Sequence, residues 1–183
     1  MKNTLTLIEE LEYQGKVKTF IPKQIFVREG EFPNKIGIIK KGLFRYYYLT
    51  KEGKEFTKVF MKEGDIIASY TSMISGEKSY YTIEAIEQSE IIEISYLQWN
   101  KLRSTDSKWD KFLITFLEKG YGIKEKRERE FLLMDSEKRY KSFLKEYPNL
   151  ESRVKQHMIA SYIGITPIAL SRIRRRMKRI NLC

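Results

Sequence analysis

The apolar positions change period twice along the chain. Near the N-terminus, Leu7, Ile8 and Leu11 share one face behind Thr6-Leu7-Ile8-Glu9, which reads as a capping box opening a short helix. From Ile21 the pattern turns into short β-like runs punctuated by glycine. Ile25–Val27 leads into Arg28-Glu29-Gly30, residues 35–39 into Lys40-Lys41-Gly42, and residues 43–49 into Thr50-Lys51-Glu52-Gly53. Glu55–Met61 returns from that turn, Glu63-Gly64-Asp65 forms the next, and residues 80–86 and 91–94 add two more runs. Strands of this length and spacing predict an antiparallel sandwich or barrel. Gly30, Gly42, Gly53 and Gly64 fall where a turn needs positive φ.

After Ile94 the period becomes helical. Residues 96–102 predict a short helix, and Asp106 or Ser107 caps a longer one. In it Trp109, Phe112, Leu113, Phe116, Leu117 and Tyr121 follow i, i+3, i+4, i+7 spacing, continued less regularly by Ile123, Phe131 and Met134. Gly120 and Gly122 interrupt it, each weakening a helix by ~1 kcal/mol relative to alanine. They imply a kink, a break or close approach of a second helix. A helix placed here either packs on the β portion or serves as a dimerisation element. Asp135-Ser136-Glu137 opens a further helix that ends before Tyr147-Pro148, because the residue before proline avoids helical geometry.

Residues 156–177 have the internal logic of a helix-turn-helix. Ala160 is small where two helices cross, Gly164 permits the left-handed residue that ends the first, and Ile165 plugs the turn. Thr166 fits the N-cap of the second helix and Pro167 its first position, where no N–H bond is lost. Ile159 and Ile163 then face Leu170, Ile173 and Met177. Ile168, Ser171, Arg172 and Arg175 are left off that face, flanked by Ala169 and Arg176. An exposed basic face of this kind is what a recognition helix needs for phosphates and base edges.

Charge supports that placement. The net +11 is not spread evenly: residues 1–100 carry 14 Lys/Arg and 14 Asp/Glu, residues 101–150 carry 13 and 9, and residues 151–183 carry 8 against Glu151 alone. A polyanion partner is thus expected for the C-terminal portion and not for the body. The 12 Tyr and 10 Phe favour a β-rich portion. The single cysteine, Cys183, allows no intramolecular disulfide, in keeping with a reducing compartment. No apolar run approaches the length of a membrane span or signal peptide, so the expectation is a cytoplasmic protein without membrane association. Enzyme chemistry is not expected. His157 is the only histidine, too few for a metal-binding β-barrel, and there is no Gly-rich phosphate loop, Ser/His/Asp set or CxxC. No cofactor and no metal are predicted.

With these elements in order, the chain resembles the Crp/Fnr family of bacterial transcription factors. The C-terminal likeness is carried by Ile159-Ala160-Ser161-Tyr162-Ile163-Gly164-Ile165-Thr166 and Leu170-Ser171-Arg172-Ile173. The N-terminal likeness is carried by Val27-Arg28-Glu29-Gly30, Ile38-Ile39-Lys40-Lys41-Gly42, residues 48–54 and Glu63-Gly64-Asp65. It implies an α+β fold with an N-terminal cyclic-nucleotide-binding-like β-roll over residues 1–104. A connecting, dimerising helix over 105–134 and a helix-turn-helix domain over 135–183, with a reduced or absent wing, would follow. It further implies a homodimer on palindromic double-stranded DNA, with half-sites about 34 Å apart.

Two departures from the family pattern matter. Family members that bind cyclic AMP use a glutamate for the ribose and an arginine for the phosphate. Anchored on Thr82-Ile83-Glu84-Ala85, the arginine position falls at Ser79 and the glutamate near Ser69-Tyr70. Serine cannot replace a bidentate guanidinium, so cyclic AMP is not the expected effector. Ser69, Tyr70, Lys78, Ser79 and Tyr80 are the expected lining of a pocket for an unidentified small-molecule effector. In the recognition helix, base-reading positions fall at Pro167, Ile168 and Arg172, so the DNA site should differ from the family's best-known one. Lys155 and His157 match backbone-contacting positions beside Gln156. The expected DNA-binding set is therefore Lys155, Gln156, His157, Thr166, Ile168, Ala169, Ser171, Arg172, Arg175 and Arg176. The competing reading is a sensor or adaptor whose basic C-terminal helices bind a protein.

Overall fold

The computed structural model describes the backbone of residues 2–180 and the side chains of residues 7–178; Cys183 lies outside them. Helix α1 (Lys2–Gln14) precedes strands β1 (Lys16–Phe20), β2 (Ile25–Val27), β3 (Lys35–Lys41), β4 (Phe44–Leu49), β5 (Glu55–Met61) and β6 (Ile66–Ile67). Helix α2 (Tyr70–Ser75) separates these from β7 (Thr82–Ala85) and β8 (Ser89–Ser95). Helices α3 (Tyr96–Thr105), α4 (Lys108–Leu133), α5 (Ser136–Glu146), α6 (Leu150–Arg153), α7 (Gln156–Ile163) and α8 (Pro167–Ile180) complete the order.

The strands form two four-stranded antiparallel sheets, β1-β8-β3-β6 and β2-β7-β4-β5. Between them lies a core of Phe20, Phe26, Ile39, Phe44, Ile67, Ile83 and Ile91. Strands β3 and β8 read as continuous apolar runs because both their faces are covered. Ile36, Ile38, Ile92 and Ile94 point outward into a second core with Leu11 of α1, Trp99 of α3 and Trp109, Phe112 and Leu113 of α4. That burial is what ties the helices to the sandwich, at roughly 1.5–3 kcal/mol for each fully buried large apolar side chain. The third core belongs to α5–α8 but includes Leu43 and Phe60 of the β-roll.

Several local expectations meet the structure differently. Helix α1 starts at Lys2, so Thr6-Leu7-Ile8-Glu9 lies inside it and is not its opening cap. Strand β1 has no alternating signal because it is an exposed edge, Lys16-Val17-Lys18-Thr19, paired only to β8. Lysines on such an edge oppose pairing with another chain. Helix α4 runs unbroken through Gly120 and Gly122, and a Cβ at either would meet nothing within 4 Å. Asp106, not Ser107, supplies its first side-chain bond, accepting from the Lys108 N–H at 2.9 Å. Gly30, Gly42, Gly53 and Gly64 all have positive φ. At Gly42 a Cβ would also strike Ser89, 2.1 Å from its Oγ.

Candidate nucleic-acid interface and an interior cavity

The C-terminal turn is closed by backbone and side chain together. Gly164 ends α7 at φ 73°, ψ 41°. Its N–H donates to Ser161 O at 3.2 Å while Ile165 N–H donates to Ala160 O at 2.9 Å. This Schellman pairing satisfies carbonyls that the end of a helix leaves open. Thr166 Oγ1 then accepts from Ala169 N–H at 3.2 Å, capping α8, with Pro167 in its first position. Ile159, Ala160, Ile163, Leu170 and Ile173 are buried in one cluster, with Ile165 and Met177 packed against it.

That packing fixes which side of α8 faces water. Thr166, Ile168, Ser171, Arg172 and Arg175 are exposed and Ala169 is half-buried. The positions 168, 171, 172 and 175 share one helical face. Arg172 and Arg175 form no ion pair among the described residues, whereas the neighbouring arginines do. Arg174 turns inward to Tyr140 Oη (2.9 Å) and Glu151 (2.5 Å). Arg176 is exposed but bonds Glu137, which also holds Lys141 at 2.9 Å. Gln156 Nε2 donates to Pro167 O at 2.9 Å and so ties the starts of α7 and α8 together. Lys155 and His157 flank it, exposed.

The helix-turn-helix is docked on the β-roll through the outer strand of one sheet. Ser161 Oγ accepts from Thr57 N–H at 2.8 Å and lies 3.1 Å from Glu55 O, filling the open ladder of β5. Arg127 of α4 donates to Lys58 O (2.9 Å), Thr57 O (3.1 Å) and Tyr162 O (2.9 Å), bridging α4, β5 and α7. Phe60 of β5 packs edge-on to Phe143 and Tyr147. Arg153 pairs with Glu63 at 2.8 Å and Glu87 at 2.6 Å. Partial burial pushes the Glu63 carboxyl up, but the bonds from Arg153 and backbone N–H groups outweigh it and hold it below its ordinary value.

A cavity of about 660 Å³ lies between the β-roll and α4. Tyr46, Tyr48 and Tyr81 line one side, and Phe116, Tyr121 and Phe131 of α4 line the other. Lys58 enters it through a β-bulge. Tyr46 pairs with Val59 and Tyr47 with Thr57, so Lys58 is the extra residue of β5. A bulge re-aims the side chain that alternation would send elsewhere. The Lys58 ammonium sits 4.0 Å from the Tyr81 ring centroid. Burial, with Lys124 and Arg127 nearby, lowers its pKa to about 8. Burial likewise lowers Arg127, whose Nε has no hydrogen-bond partner.

None of the five expected effector residues lines this cavity. Ser69 and Ser79 are buried with their hydroxyls 2.9 Å apart, and Ser79 Oγ also lies 2.7 Å from Tyr81 O. Tyr70 packs half-buried on the core beneath α3 and α4. Lys78 is exposed, and Tyr80 is exposed with its hydroxyl on Glu77. The cavity residues escaped sequence reasoning because Lys58 and Arg127 are two among 35 Lys and Arg. A basic residue inside an otherwise apolar-alternating strand, as Lys58 is, was the one available signal.

Residues 17–106 match the cyclic nucleotide-binding domain. The chain also superposes on solved structures. FixK2 from Bradyrhizobium japonicum aligns at 17% identity over 91% of this chain and 86% of that one, with a TM-score of 0.80. The c-di-GMP responsive global regulator CLP of Xanthomonas campestris aligns at 15% identity over 100% and 94%, with a TM-score of 0.77. A putative transcriptional regulator of the Crp/Fnr family from Eubacterium rectale aligns at 18% identity over 97% and 83%, with a TM-score of 0.69. None of the curated proteins matches the chain in sequence. The class is therefore that of α+β proteins joining a cyclic nucleotide-binding β-roll to a helix-turn-helix. The likeness to the Crp/Fnr regulator, at 18% identity, is one of fold.

Proposed function

We propose that the protein is a sequence-specific, homodimeric, DNA-binding transcription regulator that does not depend on cyclic AMP. In this reading residues 1–104 sense, 105–134 connect and dimerise, and 135–183 bind DNA. The observation that carries it is the exposed face of α8. Arg172 and Arg175 stand there without ion-pair partners among the described residues, beside Ile168 and Ser171, on a helix held by the Gly164–Thr166–Pro167 turn. Free guanidinium groups on a protruding helix suit phosphates and guanine edges.

Dimerisation is supported by α4. Ile114, Leu117 and Tyr121 are exposed apolar residues spaced i, i+3, i+7, about a third of a turn away from the face that packs on the β-roll. Such a stripe is stabilised by a second copy. Independence from cyclic AMP is supported by Ser79, which stands where the arginine is expected and is engaged internally with Ser69 and Tyr81. A chain acting on DNA works in the cytoplasm of a bacterium; among the described residues no helix is long and apolar enough to cross a membrane.

Selection of bound genomic fragments, followed by a salt titration on the best duplex, tests the reading. Affinity for that duplex should fall by orders of magnitude between about 50 and 200 mM salt. Arg172→Ala should lose discrimination between sites more than nonspecific affinity, and Arg176→Ala should weaken all sequences alike. Recovery of no specific duplex, with only weak nonspecific binding, overturns it.

A further inference from the structure

The start of α8 presents a narrow choice of chemistry to whatever lies against it. Ile168, in its first turn, is 67% exposed. The polar groups beside it are already engaged. Thr166 Oγ1 accepts from Ala169 N–H at 3.2 Å, and Gln156 Nε2 donates to Pro167 O at 2.9 Å. Arg174 is drawn inward to Tyr140 and Glu151. Facing outward in the first two turns are then the apolar Pro167 and Ile168, the Ser171 hydroxyl and the Arg172 guanidinium. Helix α8 carries no carboxylate and no side-chain amide anywhere along its length.

Base edges in the major groove differ in what they ask of a protein. Cytosine and adenine present amino donors, best met by a carboxylate or a side-chain amide, and α8 offers neither. Guanine presents two acceptors, which suit the fork of Arg172, and thymine presents a methyl group, which suits Ile168. A lone exposed isoleucine is ordinary on a protein surface. This one stands one turn ahead of Arg172 on the same face, at the helix end that meets base edges in helix-turn-helix proteins. Four residues of helix rise about 6 Å, and base pairs stack about 3.4 Å apart, so the two side chains span one to two base-pair steps.

We infer that Ile168 is a specificity-determining residue that selects a thymine by covering its 5-methyl group, with Arg172 on a guanine one or two base pairs away in the same half-site. This deepens the regulator reading and rests on it. Ile168 supplies discrimination and no anchorage, since it brings neither charge nor hydrogen bond. Ser171 can donate or accept and so adds little choice between bases. Arg175, a further turn along the same face, is left for phosphate. Burying one methyl group is worth about fourfold in affinity, so the two half-sites of a homodimer together contribute more than about tenfold.

The probe is the duplex recovered by the genomic selection, synthesised with 2′-deoxyuridine in place of thymine at one symmetric pair of positions at a time. That exchange deletes the methyl group and leaves the pairing edge unchanged. Titrated against the full chain by fluorescence anisotropy, one such pair should cost about tenfold in affinity with the wild type and under about twofold with Ile168→Ala. Ile168 is exposed, so the variant should keep the wild-type far-ultraviolet spectrum, and the exchange in the DNA perturbs no protein fold at all. Replacing guanine by 7-deazaguanine, which removes the N7 acceptor, should locate the base held by Arg172. Its penalty should vanish in Arg172→Ala and should fall within about two base pairs of the thymine. The inference is overturned if no thymine pair costs at least about fivefold more with the wild type than with Ile168→Ala. It is also overturned if the coupled thymine and guanine lie farther apart than that. A specific duplex without methyl dependence defeats this inference alone, whereas recovery of no specific duplex defeats the regulator reading as well, so the two failures are distinguishable.

Discussion

Replacing Gly164 by alanine strikes two constraints at once. The residue sits at φ 73°, which costs an L-residue about 1–2 kcal/mol. An added Cβ would also lie 2.4 Å from Phe131 Cε1, and overpacking of that kind costs about 1–3 kcal/mol. The sum, about 2–5 kcal/mol, is a large share of a stability near 5–15 kcal/mol. In urea, with a slope near ~2 kcal/mol/M, it moves the midpoint down by roughly 1–2.5 M, read by far-ultraviolet circular dichroism. A double-mutant cycle with Phe131→Ala separates the causes. In that background Gly164→Ala should cost only the backbone part, about 1–2 kcal/mol, leaving a coupling of about 1–3 kcal/mol. Equal costs in the two backgrounds, within about 0.5 kcal/mol, would refute the steric account. The pair matters for function because Phe131 both lines the cavity and presses on the turn between α7 and α8, with the Arg127 and Arg139 guanidinium groups each 5.0 Å from its ring.

Lys58 gives a pH signature. Its folded pKa of about 8 lies below the ordinary 10.5, so below pH 8 both states are protonated and the full penalty is present. Between about 8 and 10.5 the unfolded chain holds the proton and the folded one does not, so stability should rise with pH. The difference between wild type and Lys58→Met in urea midpoints at pH 7 and pH 10 isolates it from Tyr48, Tyr81, Lys119, Lys124, Arg127, Asp65 and Glu128 around the cavity; no difference refutes it. Ile114→Glu should convert a dimer to monomers by light scattering with the far-ultraviolet spectrum unchanged, since Ile114 is 50% exposed in the single chain. Ser161→Ala removes the acceptor of Thr57 N–H at 2.8 Å, at a cost of about 1–3 kcal/mol if the site stays dry. Amide exchange at Thr57 should then speed by roughly tenfold or more, and an unchanged rate would show that β5 is not held by α7.

The helix-turn-helix was legible because its signals are local. Ala160, Gly164, Thr166 and Pro167 act within a few residues of themselves, through φ, a cap and a missing N–H. The glycine-punctuated strands and the caps at Asp106 and Asp135 were readable for the same reason. What needed tertiary structure was set by residues far apart in sequence. Gly120 and Gly122 left a kink, a break or a close helix approach open, and α4 continues through them, with Trp109, Phe112 and Leu113 holding it on the β-roll. Strand β1 carried no pattern because an edge strand needs no apolar face of its own. Ser69 and Ser79 were expected in an effector pocket by analogy of position, and only the fold shows that their hydroxyls lie 2.9 Å apart.

The sequence alone determined the succession of a leading helix, glycine-punctuated strands and C-terminal helices, the location of the basic excess and the geometry of the turn before α8. Only the tertiary structure decided which side chains meet beside α4. One extra residue in β5 swings Lys58 into the space beneath α4, and Arg127 arrives there from the other side, tied to β5 and α7 at once. Neither fact has a local signature, because a bulge is defined by the strand opposite and an ion's environment by whatever surrounds it.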